Sequence, residues 1–137
     1  KIKELDKYNK IHSEVKFSIN TRFDFLLSNN KEKCFLEVKN VTLLRKKELA
    51  EFPDAITSRG TKHLEELSNA KKKGFNCYIL YLIQRTDCNS FKVAEDIDKK
   101  YKIAFTNALK NDVKVLCYDC KITNEEIKLN NQISYEK

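Results

Sequence analysis

The chain is poor in the residues that interrupt regular structure. Its 137 residues include only two glycines and one proline, and there is neither methionine nor tryptophan. Because flexible linkers are usually rich in glycine, serine or proline, little of this chain can be disordered linker. Its length suits one domain and is sufficient to bury a core. We therefore expect a single domain over residues 1–137.

Long hydrophobic runs are also missing. The longest apolar run, residues 78–83, is far shorter than the ~18 residues that indicate a membrane-spanning helix. We recognise no secretory signal and expect no membrane partner. The sequence starts at Lys1 without an initiating methionine, so we expect an upstream portion outside it.

Charge and cysteine content narrow the function classes further. Lysine and arginine outnumber aspartate and glutamate by 27 to 20, and the formal charge of +7 favours a polyanionic partner such as nucleic acid. The chain has five cysteines, and an odd number cannot all pair in disulfides within one chain. We therefore expect a cytoplasmic protein, because the cytoplasm keeps thiols reduced. Cys34, Cys77 and Cys117 fall in apolar runs and are expected to be buried. Cys117 and Cys120 have the spacing of zinc ligands, but no second such pair completes a site.

The most informative pattern is a predicted β-hairpin. Its arms, residues 22–27 and 34–39, alternate between apolar and other residues, and a polar turn joins them. When the last residue of the first arm faces the first residue of the second, Asp24 falls directly opposite Glu37. A shift of one residue would scatter both faces, because successive side chains on a strand point to opposite sides.

This register predicts two chemically distinct faces. One face carries an apolar set that is expected to meet the core: Phe23, Phe25, Leu27, Cys34, Leu36 and Val38. The other face carries a charged group and its neighbours: Asp24, Glu37 and Lys39, with Arg22, Leu26 and Phe35 around them.

The charged face has the composition of a metal-dependent catalytic site. Carboxylates directly opposite on a sheet repel, usually at a cost of about 0.2–1 kcal/mol, and Mg²⁺ is commonly held by one or two carboxylates. Asp24, Glu37 and the Val38 carbonyl are therefore candidate ligands for Mg²⁺ or Mn²⁺. Lys39 would position or deprotonate a metal-bound water that attacks a phosphodiester. The alternative is a solvated charge ladder, in which Arg22 and Lys39 neutralise the two acids.

The remaining pattern predicts an α/β fold. The expected order is a short helix within residues 3–10, strands at 14–19, 22–27 and 34–39, an irregular segment at 40–52, a helix at 53–73, a strand at 76–84, a helix at 99–109, a strand at 113–118 and an edge strand at 127–129. We expect a mixed central sheet, an antiparallel meander plus a parallel β-α-β crossover, flanked by helices. This order is common to the PD-(D/E)xK nuclease superfamily, so the expected fold is restriction-endonuclease-like.

Candidate contacts to nucleic acid lie on the first long helix and at the end of the central strand. Arg59, Lys62 and His63 share one helical face and would contact phosphates, although a solvated basic face is an equal alternative. Gln84 and Arg85 end the central strand near the predicted acids, where they would contact phosphate or water.

Two further residues near the start of this helix admit more than one interpretation. Gly60 inside a helix costs ~1 kcal/mol relative to alanine, which close approach of another backbone or of DNA, a kink, or a late helix start would explain. Asp54 and Thr57 are candidate helix caps, and Asp54 is alternatively a third metal ligand.

Several segments resemble the bacterial sugar fermentation stimulation protein family. The specific matches are residues 21–27, 37–43 and above all 52–64, with shorter matches at 84–87, 96–98 and 113–118. The resemblance implies a two-part protein, with a small OB-like domain upstream of a PD-(D/E)xK nuclease-like domain. It also implies DNA binding of low sequence specificity and regulation of sugar utilisation genes.

Carried over residue by residue, the resemblance retains Asp24, Glu37 and Lys39. Glu14 fits a glutamate of the family and is a further catalytic candidate, with Glu4 as the alternative. We therefore expect a DNA-binding protein with a Mg²⁺-dependent phosphodiesterase site. The alternative is a non-catalytic DNA-binding regulator, and homo-oligomerisation is left open.

Overall fold

Two β-sheets and two α-helices form the fold in the computed structural model, which describes residues 2–137; Lys1 lies outside the described residues. A short 3-10 turn at Lys3–Leu5 precedes the regular elements. The strands are β1 (Lys10–Ser18), β2 (Thr21–Ser28), β3 (Lys33–Val41), β4 (Leu43–Lys46), β5 (Leu49–Phe52), β6 (Asn76–Ile83), β7 (Ser90–Val93), β8 (Lys114–Ile122), β9 (Ile127–Gln132) and β10 (Ser134–Tyr135). The helices are α1 (Ser58–Lys72) and α2 (Lys99–Lys110).

The larger sheet has six strands in the order β1-β2-β3-β6-β8-β9. Its first three strands are an antiparallel meander, while β3, β6 and β8 pair in parallel and β9 returns antiparallel to β8. The smaller sheet has four strands in the order β10-β7-β5-β4. The predicted α/β class with a mixed sheet is therefore confirmed, and α1 and α2 occupy the two connections between parallel strands.

Side-chain caps fix where the two helices begin. The Thr57 hydroxyl accepts a hydrogen bond from the Gly60 amide at 3.0 Å, and the Asp98 carboxylate accepts one from the Tyr101 amide at 3.0 Å. Both satisfy amides in the first turn that have no partner within the helix. The predicted caps at these two positions are confirmed. Asp54 caps neither helix, and α1 starts later than the expected residue 53.

Two sequence expectations about secondary structure were wrong. The segment 40–52 is not irregular, because β4 and β5 form a hairpin there that belongs to the smaller sheet. The opening helix is only a 3-10 turn, and β1 already begins at Lys10. The strands β7 and β10 were not predicted. Both of these strands are short, and they pair with parts of the chain that are distant in sequence.

Both faces of the central strands of the larger sheet are covered, whereas the edge strands β1 and β9 are largely exposed. One face packs against α1, α2 and the smaller sheet, around fully buried aromatic rings of Phe23, Tyr81, Phe91, Tyr101 and Phe105. The other face packs against the N-terminal segment through Leu5 and Tyr8. All five cysteines are unpaired and buried, as expected for Cys34, Cys77 and Cys117. Among residues 2–137, no helix is long and apolar enough to cross a membrane.

Phe23 lies on the opposite face from the one predicted. It packs against Phe35, with ring centroids 4.9 Å apart, whereas Phe25 joins the other cluster. The reason is that the β2–β3 ladder ends at Phe25 and Leu36. Beyond that pair the strands no longer follow the regular pleat on which the alternation argument depends.

Candidate functional site

Asp24 and Glu37 lie where β2 and β3 separate. The ladder runs in the predicted register from Ser28 paired with Lys33 to Phe25 paired with Leu36, and these two acids are the residues that follow its last pair. Here hydrogen bonds from backbone amides to carboxylate side chains take the place of the backbone-to-backbone hydrogen bonds of the ladder. The Val38 amide donates to Asp24 Oδ2 at 2.8 Å, and the Asp24 amide donates to Glu37 Oε1 at 3.1 Å. Each carboxylate is thereby fixed by the opposite strand.

The second oxygen of Glu37 joins this fork to α1. Lys39 Nζ donates to Glu37 Oε2 at 3.0 Å, and His63 Nδ1 lies 2.6 Å from the same oxygen. The lysine and histidine nitrogens are 2.8 Å apart. Glu37 and His63 are only 3% and 6% exposed, so the three groups meet in a largely desolvated place. We call Asp24, Glu37, Lys39 and His63 the acidic site.

The two carboxyl groups of the acidic site differ in their electrostatics. Burial raises the pKa of Asp24, and the charge of Glu37 adds to this, although the hydrogen bond from the Val38 amide opposes it. Burial alone would also raise the pKa of Glu37. The hydrogen bond with His63 and the charge of Lys39 outweigh burial, so the pKa of Glu37 lies below its ordinary value. An additional positive charge near Asp24 would therefore favour its ionised form.

Glu14 continues the row of acids onto the neighbouring strand. The pairs on either side of it in the β1–β2 ladder place Glu14 opposite Asp24. Its φ of +54° lies in the left-handed region that residues other than glycine rarely adopt. Such backbone strain is common at functional sites and costs of order 1–3 kcal/mol. The catalytic role of Glu14 stays a prediction.

The part of the chain that the structure describes contains no group of three or more His, Cys, Asp and Glu side chains arranged to hold a metal ion. A cation at the acidic site would consequently depend on Asp24 and Glu37, with the Val38 carbonyl and water completing its coordination. Asp54, the alternative third ligand, is exposed and precedes α1. The assignment of Asp24, Glu37 and Val38 as ligands of Mg²⁺ or Mn²⁺ stays a prediction.

A basic pocket adjoins the acidic site. The β1–β2 turn and the start of α1 enclose a cavity of about 350 Å³. It is lined by basic and small polar side chains together with one isoleucine: Lys16, Ser18, Ile19, Asn20, Thr21, Arg22, Arg59, Lys62 and His63. The structure thus brings together the three helix residues predicted to contact nucleic acid. His63 belongs to both the pocket and the acidic site.

Lys16 and Arg22 also line this pocket, although the sequence did not predict a role for them there. They are directly paired across the β1–β2 hairpin, and both line the cavity beside α1. The signal for their pairing was present, because the turn expected around Asn20 places them opposite each other. Their approach to Arg59 depends on where α1 packs, which no local pattern specifies.

Gln84 and Arg85 are not in the pocket. The side-chain amide of Gln84 donates a hydrogen bond to Asn40 Oδ1 at 3.3 Å. The Arg85 guanidinium donates two hydrogen bonds to the Asp87 carboxylate, at 2.8 and 2.7 Å. Glu4 is also remote from Asp24, because it accepts a hydrogen bond from Tyr118 on β8. Gln84 and Arg85 thus do not lie together with Arg59, Lys62 and His63. Their role in contacting nucleic acid stays a prediction.

Comparison with known proteins identifies the class to which this fold and site belong. The family model described as "Sugar fermentation stimulation protein RE domain" matches residues 1–126. The chain therefore belongs to the sugar fermentation stimulation protein family.

Individual relatives agree with this. The sugar fermentation stimulation protein homologue of Pelagibacter ubique is 49% identical over 132 residues, which cover 96% of this chain and 57% of the relative. The homologue of Clostridium kluyveri is 44% identical over 137 residues, covering 99% of this chain and 59% of the relative. This chain thus spans just over half the length of the relatives it matches. The expected upstream OB-like domain stays a prediction.

A solved structure shares the fold. The structure of Pyrococcus furiosus SfsA in complex with Ca²⁺ aligns with a TM-score of 0.89 at 25% sequence identity. The alignment covers 98% of this chain and 58% of the Pyrococcus chain.

Proposed function

We propose that this domain binds DNA with low sequence specificity and hydrolyses phosphodiester bonds with the help of Mg²⁺ or Mn²⁺. The observation that carries the proposal is the fork between β2 and β3. There the carboxylates of Asp24 and Glu37 and the amine of Lys39 come together, and His63 joins them to the basic pocket. The membership of the PD-(D/E)xK superfamily is part of the same proposal.

The donor set at the fork fits a hard divalent cation. Asp24 and Glu37 offer carboxylate oxygens, which Mg²⁺ and Ca²⁺ both prefer. The raised pKa of Asp24 fits a cation nearby, because burial and a like charge both disfavour its anion. The complex of the Pyrococcus relative with Ca²⁺ supports a divalent cation in this fold. When bound, the cation would lower the pKa of an attacking water and neutralise charge on phosphoryl oxygens.

The residues of the chain would divide the remaining work. Lys39 has its amine fixed by Glu37 and His63, so it would orient the attacking water and hold or transfer a proton at Nζ. Arg59 and Lys62 would hold the phosphate backbone beside the fork. Such contacts position DNA without reading its sequence, which fits low specificity.

Cleavage of plasmid and short single-stranded DNA in Mg²⁺ and in Mn²⁺ tests this proposal. We expect wild type to cut, and Glu37→Gln to lose activity by roughly a hundredfold or more, as happens when a group acting on transition-state charge is removed. The matched control is Glu126→Gln in the exposed Glu126-Ile127-Lys128 triplet, which leads into β9 and has the same spacing. It should retain full activity. Equal cutting by all three proteins would contradict catalysis at the fork.

A non-catalytic DNA-binding regulator is the second candidate. It is favoured by the way Lys39, Glu37 and His63 already satisfy one another. It predicts no cleavage, but an affinity for DNA that falls steeply with salt, with a slope of about −0.9 for each phosphate contacted. Glu37→Gln should leave this affinity intact, whereas Arg59→Ala or Lys62→Ala should reduce it. An affinity indifferent to salt would contradict both candidates.

A further inference from the structure

The basic pocket holds cations that have no acidic partners. Within residues 2–137, none of its four lysine and arginine side chains forms an ion pair, and none of its lining residues is acidic. Elsewhere in residues 2–137 a minority of the basic residues are paired with a neighbouring carboxylate: Lys7, Lys39, Arg45, Lys71, Arg85, Lys114 and Lys128. What distinguishes the pocket is that four unpaired cations line one cavity without an acidic side chain. The pocket is therefore a local concentration of uncompensated positive charge, which attracts anions.

The form of the pocket suits a compact ligand. Its volume of about 350 Å³ lies near the lower end of the ~300–1,000 Å³ typical of small-ligand sites. Thr21 lines it and is only 2% exposed, and its hydroxyl has no hydrogen-bond partner among the described residues. Ser18 and Asn20 add further polar groups from the β1–β2 turn. A hydroxyl buried without a hydrogen-bond partner is unfavourable. A polar ligand that forms a hydrogen bond with the Thr21 hydroxyl would remove this cost and would be bound more tightly.

We propose that the basic pocket binds the terminal phosphate of a nucleic-acid strand, beside the acidic site. This inference rests on the proposed function and adds to it a preference for strand ends. A phosphomonoester carries about −1.5 to −2 charges near neutral pH, compared with one for each internal phosphodiester. Four converging cations match the monoester better than a single diester. A surface that follows a duplex would instead spread its cations, because DNA presents one charge per ~1.7 Å along its axis.

The position of the pocket gives this recognition a consequence. His63 lines the pocket and also lies 2.6 Å from Glu37 Oε2, so the pocket and the acidic site share one wall. A strand whose terminal phosphate occupies the pocket places nearby phosphodiesters next to Asp24 and Glu37. Strand ends are then bound, and cut, in preference to the interior of a strand.

Fluorescence anisotropy in EDTA measures the binding step without cleavage. The probes are short single-stranded oligonucleotides with a 5′-phosphate or 5′-hydroxyl, and a second pair with a 3′-phosphate or 3′-hydroxyl, labelled at the opposite end. We expect one phosphorylated end to bind about tenfold more tightly than its hydroxyl counterpart, as the gain of a charge-assisted hydrogen bond gives. The two pairs of probes decide which end is recognised.

Three variants locate the effect. Lys16→Gln and Arg59→Gln change exposed side chains on different elements of the pocket, and each should reduce the preference for phosphate to about twofold or less. Lys100→Gln, an exposed lysine of α2 outside the pocket, should retain the full preference. Thermal unfolding of each variant establishes that it is folded before binding is compared.

The possible outcomes separate this inference from the proposed function. Equal, salt-sensitive affinity for phosphorylated and hydroxyl ends would overturn the inference and leave DNA binding intact. A preference that Lys16→Gln and Arg59→Gln both retain would place the phosphate elsewhere, and it would also overturn the inference. No binding to any of the oligonucleotides would overturn both.

Discussion

At the scale of single residues, Gly60 is required by the space around it. A Cβ added there would lie 2.9 Å from Thr57 Cγ2 and 3.1 Å from Tyr101 Cε1. Tyr101 is fully buried, and its hydroxyl is 2.5 Å from that of Tyr81, so its ring has little freedom to move away. The late helix start explains the position of Gly60 in the first turn of α1. The close neighbours within the chain are the side chains of Thr57 and Tyr101 rather than another backbone segment.

Gly60→Ala should therefore destabilise the protein, although alanine is the better helix former by ~1 kcal/mol. Overpacking of this kind costs about 1–3 kcal/mol, so we expect a net loss of stability in urea unfolding. Glu65→Ala, at an exposed position of the same helix, should change stability by no more than about 0.5 kcal/mol. A Gly60→Ala variant more stable than wild type would contradict this packing argument.

Asp98 stabilises the starts of both helices. One carboxylate oxygen accepts from the Tyr101 amide at 3.0 Å and the other from the Thr57 amide at 2.9 Å, and the residue is 5% exposed. Asp98→Ala removes both acceptors and should cost about 2 kcal/mol or more. The control is Asp54→Ala, which removes an exposed acid that caps neither helix. Chemical denaturation of the two variants should show a clear difference, and equal midpoints would contradict this role.

At the scale of elements, one arginine joins the smaller sheet to the segment before α2. Arg45 on β4 donates to both oxygens of Glu51 on β5, at 2.8 and 2.7 Å, and also to both oxygens of Asp96. Glu51 is only 2% exposed, so its charge depends on this partner. The charges of Arg45 and Glu51 are one reason why segment 40–52 was predicted to be irregular. The sequence alone does not show that they neutralise each other in the folded chain.

This cluster should make stability depend on acid pH. The hydrogen bonds from Arg45 lower the pKa of the buried Glu51 below its ordinary value, whereas Asp96 is exposed, so its pair with Arg45 adds little to stability. A carboxyl whose folded-state pKa is depressed contributes stability above its unfolded pKa and loses it as pH falls through the folded value. Arg45→Met should therefore lower the melting temperature by several degrees at neutral pH, with a difference that shrinks below about pH 4.

Melting temperatures measured across acid pH for wild type and Arg45→Met check this expectation. Arg85→Met is the matched control, because Arg85 pairs with an exposed aspartate, Asp87, two residues away. Exposed pairs contribute little to stability, so this variant should follow wild type at each pH. A difference for Arg45→Met that stays constant down to the lowest pH would contradict the electrostatic explanation.

The elements that could be predicted are those with a strong local signal. β6 is a continuous apolar strand, and α2 combines a capping aspartate with an apolar stripe, so both were expected almost to their observed bounds. β4, β5 and β7 have four residues each and carry charged side chains. β4 and β5 form a local hairpin, but β5 pairs further with β7, which comes from a distant part of the chain. A local pattern does not reveal that second pairing.

At the scale of the whole molecule, the grouping of Asp24, Glu37 and Lys39 could be predicted from sequence, whereas the contact of His63 with Glu37 could not. The basic pocket could be predicted only in part. The predicted hairpin register places Asp24 opposite Glu37, and the observed ladder keeps that register as far as Phe25 and Leu36. The pocket needs the β1–β2 turn and the start of α1 to meet, and these are separated by the whole of β2 to β5. Phe23 shows the same limit, because the side-chain alternation stops at the fork that forms the site.

A titration with Mn²⁺, followed by electron paramagnetic resonance of the free ion, tests directly whether a divalent cation is held at the β2–β3 fork. Asp24→Asn keeps an acceptor for the Val38 amide but removes the charge, and Asp54→Asn at an exposed position is the control. We predict one saturable site in wild type and in Asp54→Asn, displaced by Mg²⁺ and lost in Asp24→Asn. Equal binding by wild type and Asp24→Asn, or no saturable binding in either, would show that the fork does not hold the cation.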